Sequence, residues 1–154
     1  MNLSVTGHRS VSVADVAKVW ATISRLIAKN ADVKRITFGG AEGADTEALL
    51  AADHARKKHG RTDVALHVVV PCRIQDQPLI AQNSFKLADD IVEMLLPWTL
   101  RSRYALRDKE LVNRCDQLVA FWSGRSSGTG MTVRMAKEAS KPVIHVPVSG
   151  KKDK

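Results

Sequence analysis

The chain is poor in cysteine, poor in aromatics and free of long apolar runs. Cys72 and Cys115 are its only cysteines and stand far apart. They form neither a CxxC pair nor a zinc-ligand spacing, which leaves two free, inward-facing thiols as the expectation. Aromatic residues make up 5% of the chain, a thin supply for the base stacking that single-strand binders use. Trp98, Tyr104 and Trp122 are the aromatics that fall near loops. No stretch approaches the roughly 20 apolar residues that span a bilayer. The first residues enter a strand pattern with no basic and apolar leader before it. The expected location is the cytoplasm, away from any membrane. Familiar catalytic signatures are missing too. No loop closes on Gly-Lys-Ser/Thr, so there is no Walker A loop, and the lack of a full G-x-G-x-x-G argues against an ordinary NAD-dependent dehydrogenase. No His, Asp or Glu residues fall at metal-ligand spacing, no serine sits in a nucleophile elbow, and no repeat divides the chain. Neither a metal nor a cofactor is implied.

What is there suits one folded unit. A chain of 154 residues with 44% hydrophobic and 26% charged content is ordinary for a globular domain. Such a length buries about two thirds of the unfolded surface without staples. The net charge is +8, which favours phosphate-rich partners. Most of the basic residues are spread out, as a solvated surface requires. One cluster is local: Arg101, Arg103, Arg107, Lys109 and Arg114, offset by Asp108 and Glu110. Residues 149–154 read as a flexible basic tail behind a domain over 1–148.

Short apolar runs alternate with helical periods. Residues 3–5 begin a strand ended by Gly7. Ser12 has the place of an N-cap, and Val13, Val16, Ala17, Trp20, Ile23, Ser24 and Ile27 fall on one face of the helix that follows. Residues 35–38 form a second strand. An alanine-rich helix then runs from Asp45 to about His59, with Gly60 placed to end it. Residues 64–70 are almost continuously apolar, as an interior parallel strand should be, and His67 within them reads as a hydrogen-bonded core imidazole. Helix is expected over 79–87, and strand over 90–96, with helix as the alternative there. A basic helix over 104–114, a strand over 118–122, a helix over 131–139 and a strand over 142–147 complete the chain. The segment 94–98 reads as interface or core. Alternation at this spacing gives an α/β fold of βαβ units with right-handed crossovers. Ligands of such sheets bind outside the carboxyl ends of the strands.

Three Gly-rich segments fall on that edge. In the first, Gly7 precedes His8 and Arg9; Arg9 is a candidate bidentate phosphate ligand and His8 a hydrogen-bonding or titrating group. In the second, Gly39, Gly40 and Gly43 let the backbone turn or approach a ligand before the helix begins. Asp45 reads there as an N-cap, or as an acceptor for a ribose hydroxyl. In the third, Gly124, Gly128 and Gly130 stand among Ser126, Ser127, Thr129 and Thr132, a density of hydroxyls and bare amides that suits an anion.

Taken in order, Thr6-Gly7-His8-Arg9, Gly39-Gly40-Ala41-Glu42-Gly43-Ala44-Asp45, Arg107-Asp108-Lys109-Glu110-Leu111-Val112 before Cys115-Asp116-Gln117-Leu118-Val119-Ala120, and Ser127-Gly128-Thr129-Gly130-Met131-Thr132 resemble the SLOG superfamily. That group takes in the Smf/DprA, LOG and YpsA/YspA-like proteins, and the Thr-Gly-His-Arg start is most similar to the last. The resemblance covers nearly the whole chain. It implies a single-domain, Rossmann-like parallel sheet with helices on both faces. It further implies a nucleotide site lined by Gly7, Arg9, Gly39, Gly40, Gly43, Asp45, Arg107, Gly128, Thr129 and Thr132. Thr132 stands where the hydrolytic LOG enzymes carry a glutamate, which turns the expectation from catalysis to binding by a sensor or accessory protein. Two alternatives stay open. One is N-glycosidic cleavage of a nucleoside monophosphate, with Glu42, Asp45 and Arg107 as candidate catalytic residues. The other is DprA-like binding of single-stranded DNA. A homo-oligomer is expected by the same resemblance.

Overall fold

The computed structural model describes residues 1–125 and 127–153, with the backbone alone at Ser127. The strands are β1 (Asn2–Gly7), β2 (Arg35–Phe38), β3 (Ala65–Val70), β4 (Asp90–Glu93), β5 (Gln117–Trp122) and β6 (Val143–Pro147). They form one six-stranded sheet in the order β4-β3-β2-β1-β5-β6, and every pairing is parallel. The helices are α1 (Val13–Lys29), α2 (Ala44–Lys58), α3 (Leu79–Ser84), α4 (Arg103–Arg114) and α5 (Ser127–Glu138). This is the expected α/β architecture. No helix among the described residues is long and apolar enough to cross a membrane.

Alternation sorts the strand residues between two covers. Leu3, Val5, Ile36, Phe38, Leu66 and Val68 are all fully buried and belong to one core cluster with Val19, Ile23 and Ile27 of α1 and the alanines of α2. The other face carries α4 and α5. Leu118 and Ala120 meet Val112, Val133 and Ala136 there in a second, smaller cluster. Cys72 and Cys115 are free and buried.

Several expectations shift in detail. The buried stripe of α1 is Asp15, Val19, Ile23 and Ile27, whereas Val13 and Ala17 are exposed. The stripe begins at Asp15 because the chain after β6 settles on that carboxylate. Ser149 donates to it through N (2.8 Å) and Oγ (2.7 Å), and Gly150 through N (3.2 Å). Asp153 in turn accepts from Val13 N at 2.9 Å. Ser149, Gly150 and Asp153 of the segment read as a flexible tail are thus hydrogen-bonded to α1. Ser12 caps α1 as expected, in a capping box with Asp15. The middle helix splits into α3 and a 3-10 turn at Phe85–Leu87. The strand at 90–93 settles that ambiguity, and Leu95 and Trp98 beyond it are solvent-exposed. His67 lies half-buried on the α4 side, and its Nδ1, expected to be hydrogen-bonded, has no partner among the described residues. Finally, α5 starts at Ser127, four residues before the expected Met131. Glycines there oppose helix by propensity, yet Gly130 lies against the Trp122 ring, where an added Cβ would come within 3.0 Å of Cζ2.

Candidate functional site

The sheet reverses direction between β1 and β5. From β1 the chain steps outward to β2, β3 and β4, then returns to build β5 and β6 on the other side. Connections leaving these two strands diverge to opposite faces and open a crevice at their carboxyl ends. A cavity of about 350 Å³ occupies that crevice, within the size range of small-molecule sites. Thr6, Gly7, His8 and Arg9 line it from β1 and its exit. Ala41 and Asp45 form one wall at the start of α2, and Tyr104, Arg107, Asp108 and Leu111 of α4 form the opposite wall. The first turn of α5, through Gly128, Thr129 and Met131, closes the cavity together with Gly150.

Each charged group is held in a definite way. Arg107 is buried; its Nε donates to Asp108 Oδ1 at 2.8 Å and its Nη1 to the Gly39 carbonyl. Asp45 is 5% exposed. Its Oδ2 accepts from Ala41 N at 3.3 Å, and its Oδ1 has no hydrogen-bond partner among the described residues. Burial outweighs the nearby Arg107 and Arg9 charges and pushes the carboxyl up to about 7. Asp45 is not the N-cap: Gly43 has that position, with φ +80 and the Arg9 carbonyl oxygen 2.3 Å from where a Cβ would stand. A bare α-carbon is required there, so the second turn and the β1 exit interlock through backbone.

His8 is a joint between turns. Its carbonyl accepts from Ala44 N at 3.0 Å, and its Nε2 accepts from Ser123 N at 2.9 Å. An acceptor at Nε2 places the ring proton on Nδ1. Burial lowers the imidazole pKa, so the neutral ring ties the β1 exit to the β5 exit.

The basic helix meets the first turn over one aromatic ring. The guanidinium carbons of Arg9 and Arg103 each lie 4.6 Å from the Tyr104 ring centroid, and that of Arg107 lies 5.6 Å away. Arg9 and Tyr104 also border a smaller hollow of about 40 Å³, whose remaining lining is Ala41, Glu42, Gln77 and Pro78.

The structure therefore gathers Gly7, His8, Arg9, Asp45, Arg107, Gly128 and Thr129 around one cavity. Gly39, Gly40 and Gly43 stand behind its wall; Gly40 packs on Val70 and Phe85. Glu42 faces the smaller hollow. Gly124, with φ +89, has no described group within 4 Å of where a Cβ would stand, and Gly130 serves the Trp122 contact. Thr132 is fully buried and donates to the Gly128 carbonyl at 3.4 Å, so it holds the α5 turn and does not line the cavity. The side chain of Ser127 and all of Ser126 lie outside the described residues. The sequence reading did not place Tyr104, Asp108 and Gly150 in the site. Tyr104 precedes Arg107 by three, one helical turn on the same face, and that spacing was the available signal.

No family model and no curated protein matches the chain. Solved structures do. DNA processing protein A (DprA) from Streptococcus pneumoniae matches with a TM-score of 0.71 and 22% identity, over 96% of this chain and 50% of that one. DprA from Helicobacter pylori, described for its unique single-stranded DNA binding mode, matches with a TM-score of 0.71 and 19% identity, over 96% of this chain and 65% of that one. The chain thus spans about half to two thirds of the length of these proteins, and over that span it has their Rossmann-like fold.

Proposed function

We propose that the protein binds a nucleotide or nucleotide-derived ligand at the carboxyl ends of its strands, as a sensor or accessory protein of the SLOG superfamily and its YpsA/YspA-like branch. The observation that carries this reading is the cavity at the sheet reversal, where two arginines and the first turn of a helix face a space of nucleotide scale. Backbone N–H groups at such a turn attract anions. Isothermal titration against nucleoside phosphates, cyclic nucleotides and ADP-ribose derivatives tests it. Saturable heat with at least one of them is expected; none at millimolar concentration with any overturns it.

DprA-like binding of single-stranded DNA is a second reading. The basic stack on Tyr104 favours it, as does the description of the H. pylori structure. It requires oligonucleotide affinity that falls steeply with salt, because phosphate contacts release counterions. A shift that is absent or indifferent to salt removes it. Nucleotide hydrolysis has one support, the Asp45 carboxyl, which burial equips to hold a proton near neutrality. It requires base release from a nucleoside monophosphate that Asp45→Ala abolishes.

A further inference from the structure

We propose that the cavity takes a nucleotide with two linked phosphates, one beside Arg107 and the first turn of α5, the other at Arg9 where its guanidinium stacks on Tyr104. This rests on the nucleotide reading above and adds the number of anions the ligand carries.

Three guanidinium groups converge on one phenol ring, at 4.6, 4.6 and 5.6 Å from its centroid. Of the three, Arg107 has a carboxylate, Asp108, at 2.8 Å. Among the described residues Arg9 and Arg103 form no ion pair; Arg103 donates to the Leu100 carbonyl at 3.1 Å, and Arg9 meets the ring. A cation–π contact at an exposed site is a weak attraction, and the mutual repulsion of the gathered charges opposes it. An anion against Arg9, which lines the cavity, relieves that repulsion and gives its guanidinium a hydrogen-bonding partner.

The stack is also in the right place. Arg9 and Tyr104 line both the main cavity and the smaller hollow, so they form the partition between the two. On one side lie Arg107, Gly128 and Thr129. On the other lies Glu42, whose carboxylate repels any further anion. The row of anion positions therefore has two members and ends at Arg9. Once the first phosphate is seated, a linked second one binds from a high effective concentration.

The test is titration of the full chain with AMP, ADP and ATP, and with phosphate and pyrophosphate as ligands without a nucleoside. ADP should bind at least about tenfold more tightly than AMP, the size of one added charge-assisted contact, and ATP no more tightly than ADP. Arg9→Ala should weaken ADP more than it weakens AMP, so that the advantage of ADP is lost. Arg9→Lys, which keeps charge but loses the planar stack, should retain part of the advantage. Lys109→Ala removes an exposed charge of α4 away from both hollows and should leave the advantage intact. Thermal unfolding without ligand checks that each variant folds. Equal affinity for AMP and ADP, or an advantage that Lys109→Ala erodes as far as Arg9→Ala does, overturns the two-phosphate site and leaves the nucleotide reading standing. Pyrophosphate binding without any nucleotide binding overturns both and leaves a bare anion pair. No binding at all also overturns both.

Discussion

The two faces of the sheet are built from the same strands and do different work. Under α1 and α2, β1 to β3 present Leu3, Val5, Ile36, Phe38, Leu66 and Val68, all fully buried. Under α4, the alternate positions of those strands include a polar layer, Ser4, Arg35, Thr37 and His67, next to Ala65 and Val69. That second layer is polar and only partly satisfied: Arg35 Nε, Thr37 Oγ1 and His67 Nδ1 are buried without a hydrogen-bond partner among the described residues. It holds α4 by directed contacts. Ser4 Oγ donates to the Leu111 carbonyl at 2.7 Å and Arg35 Nη2 to the Arg114 carbonyl at 3.2 Å, at the helix end where carbonyls lack intrahelical donors. The helix so held carries Tyr104 and Arg107 to the cavity. One face supplies most of the hydrophobic stabilisation, and the other positions the site.

The comparison breaks most visibly when one residue of each face is removed, Phe38 from β2 and Ser4 from β1. Phe38→Ala empties a fully buried aromatic position and should cost about 3–5 kcal/mol. Ser4→Ala, on the polar face, loses one hydrogen bond and should cost about 1 kcal/mol. Urea unfolding of both variants, with the denaturant slope unchanged, measures the pair. Equal losses would mean that the division of labour between the faces is wrong.

This division also governs what the sequence discloses. Leu3, Val5, Ile36, Phe38 and the run over 64–70 announce strands because burial against α1 and α2 demands aliphatic side chains. The edge that holds the site follows from the parallel βαβ pattern, which puts ligands at the carboxyl ends of the strands, whereas the point of reversal between β1 and β5 came from the fold. The polar face is silent, since Ser4 and Thr37 look like residues bound for solvent, and His67 reads as a core imidazole whose partner the sequence does not name. Within the site, Arg9, Gly128 and Thr129 were readable as candidate anion ligands by chemistry, and Arg107 came from the family resemblance; all four line the cavity. The glycines were harder to sort. Gly43 answers to a positive φ and a close backbone, and Gly130 to an indole ring, and a bare α-carbon looks the same in a sequence whatever it makes room for. The meeting of Arg9 with Tyr104 joins residues 95 positions apart (104 − 9), and no local pattern encodes it.

Asp45 sits where the two layers meet, at the first turn of α2 beside Arg107 of α4. Its carboxyl titrates near 7 in the fold against an ordinary 3.8, because burial disfavours the charge. The folded chain thus binds the proton more tightly than the unfolded one. Stability from this group is fully present below 3.8, declines as pH rises towards 7 and levels off above it. Asp15 works in the opposite sense. Burial pulls its pKa up, yet hydrogen bonds from Ser149, Ser12 and Gly150 hold it down to about 2, so its contribution is present above 3.8 and lost as pH falls through 2. Asp45→Asn should therefore gain about 1–3 kcal/mol at about pH 8 and flatten the decline between 3.8 and 7. An unchanged slope of unfolding free energy against pH would show that Asp45 is ionised throughout.

The smallest effect is the most pointed. Thr37 is fully buried, and its hydroxyl has no partner among the described residues. Valine has nearly the same shape and no polar atom to desolvate. If the hydroxyl is truly unpaired, Thr37→Val removes a cost and should stabilise the chain by about 1 kcal/mol. A loss of the same size would mean that the hydroxyl does bond, through a buried water shared with His67 Nδ1, its neighbour across the β2–β3 register. The sign of that one substitution thus decides between a dry polar layer, tolerated so that α4 can be held where the site needs it, and a hydrated one that contributes stability of its own.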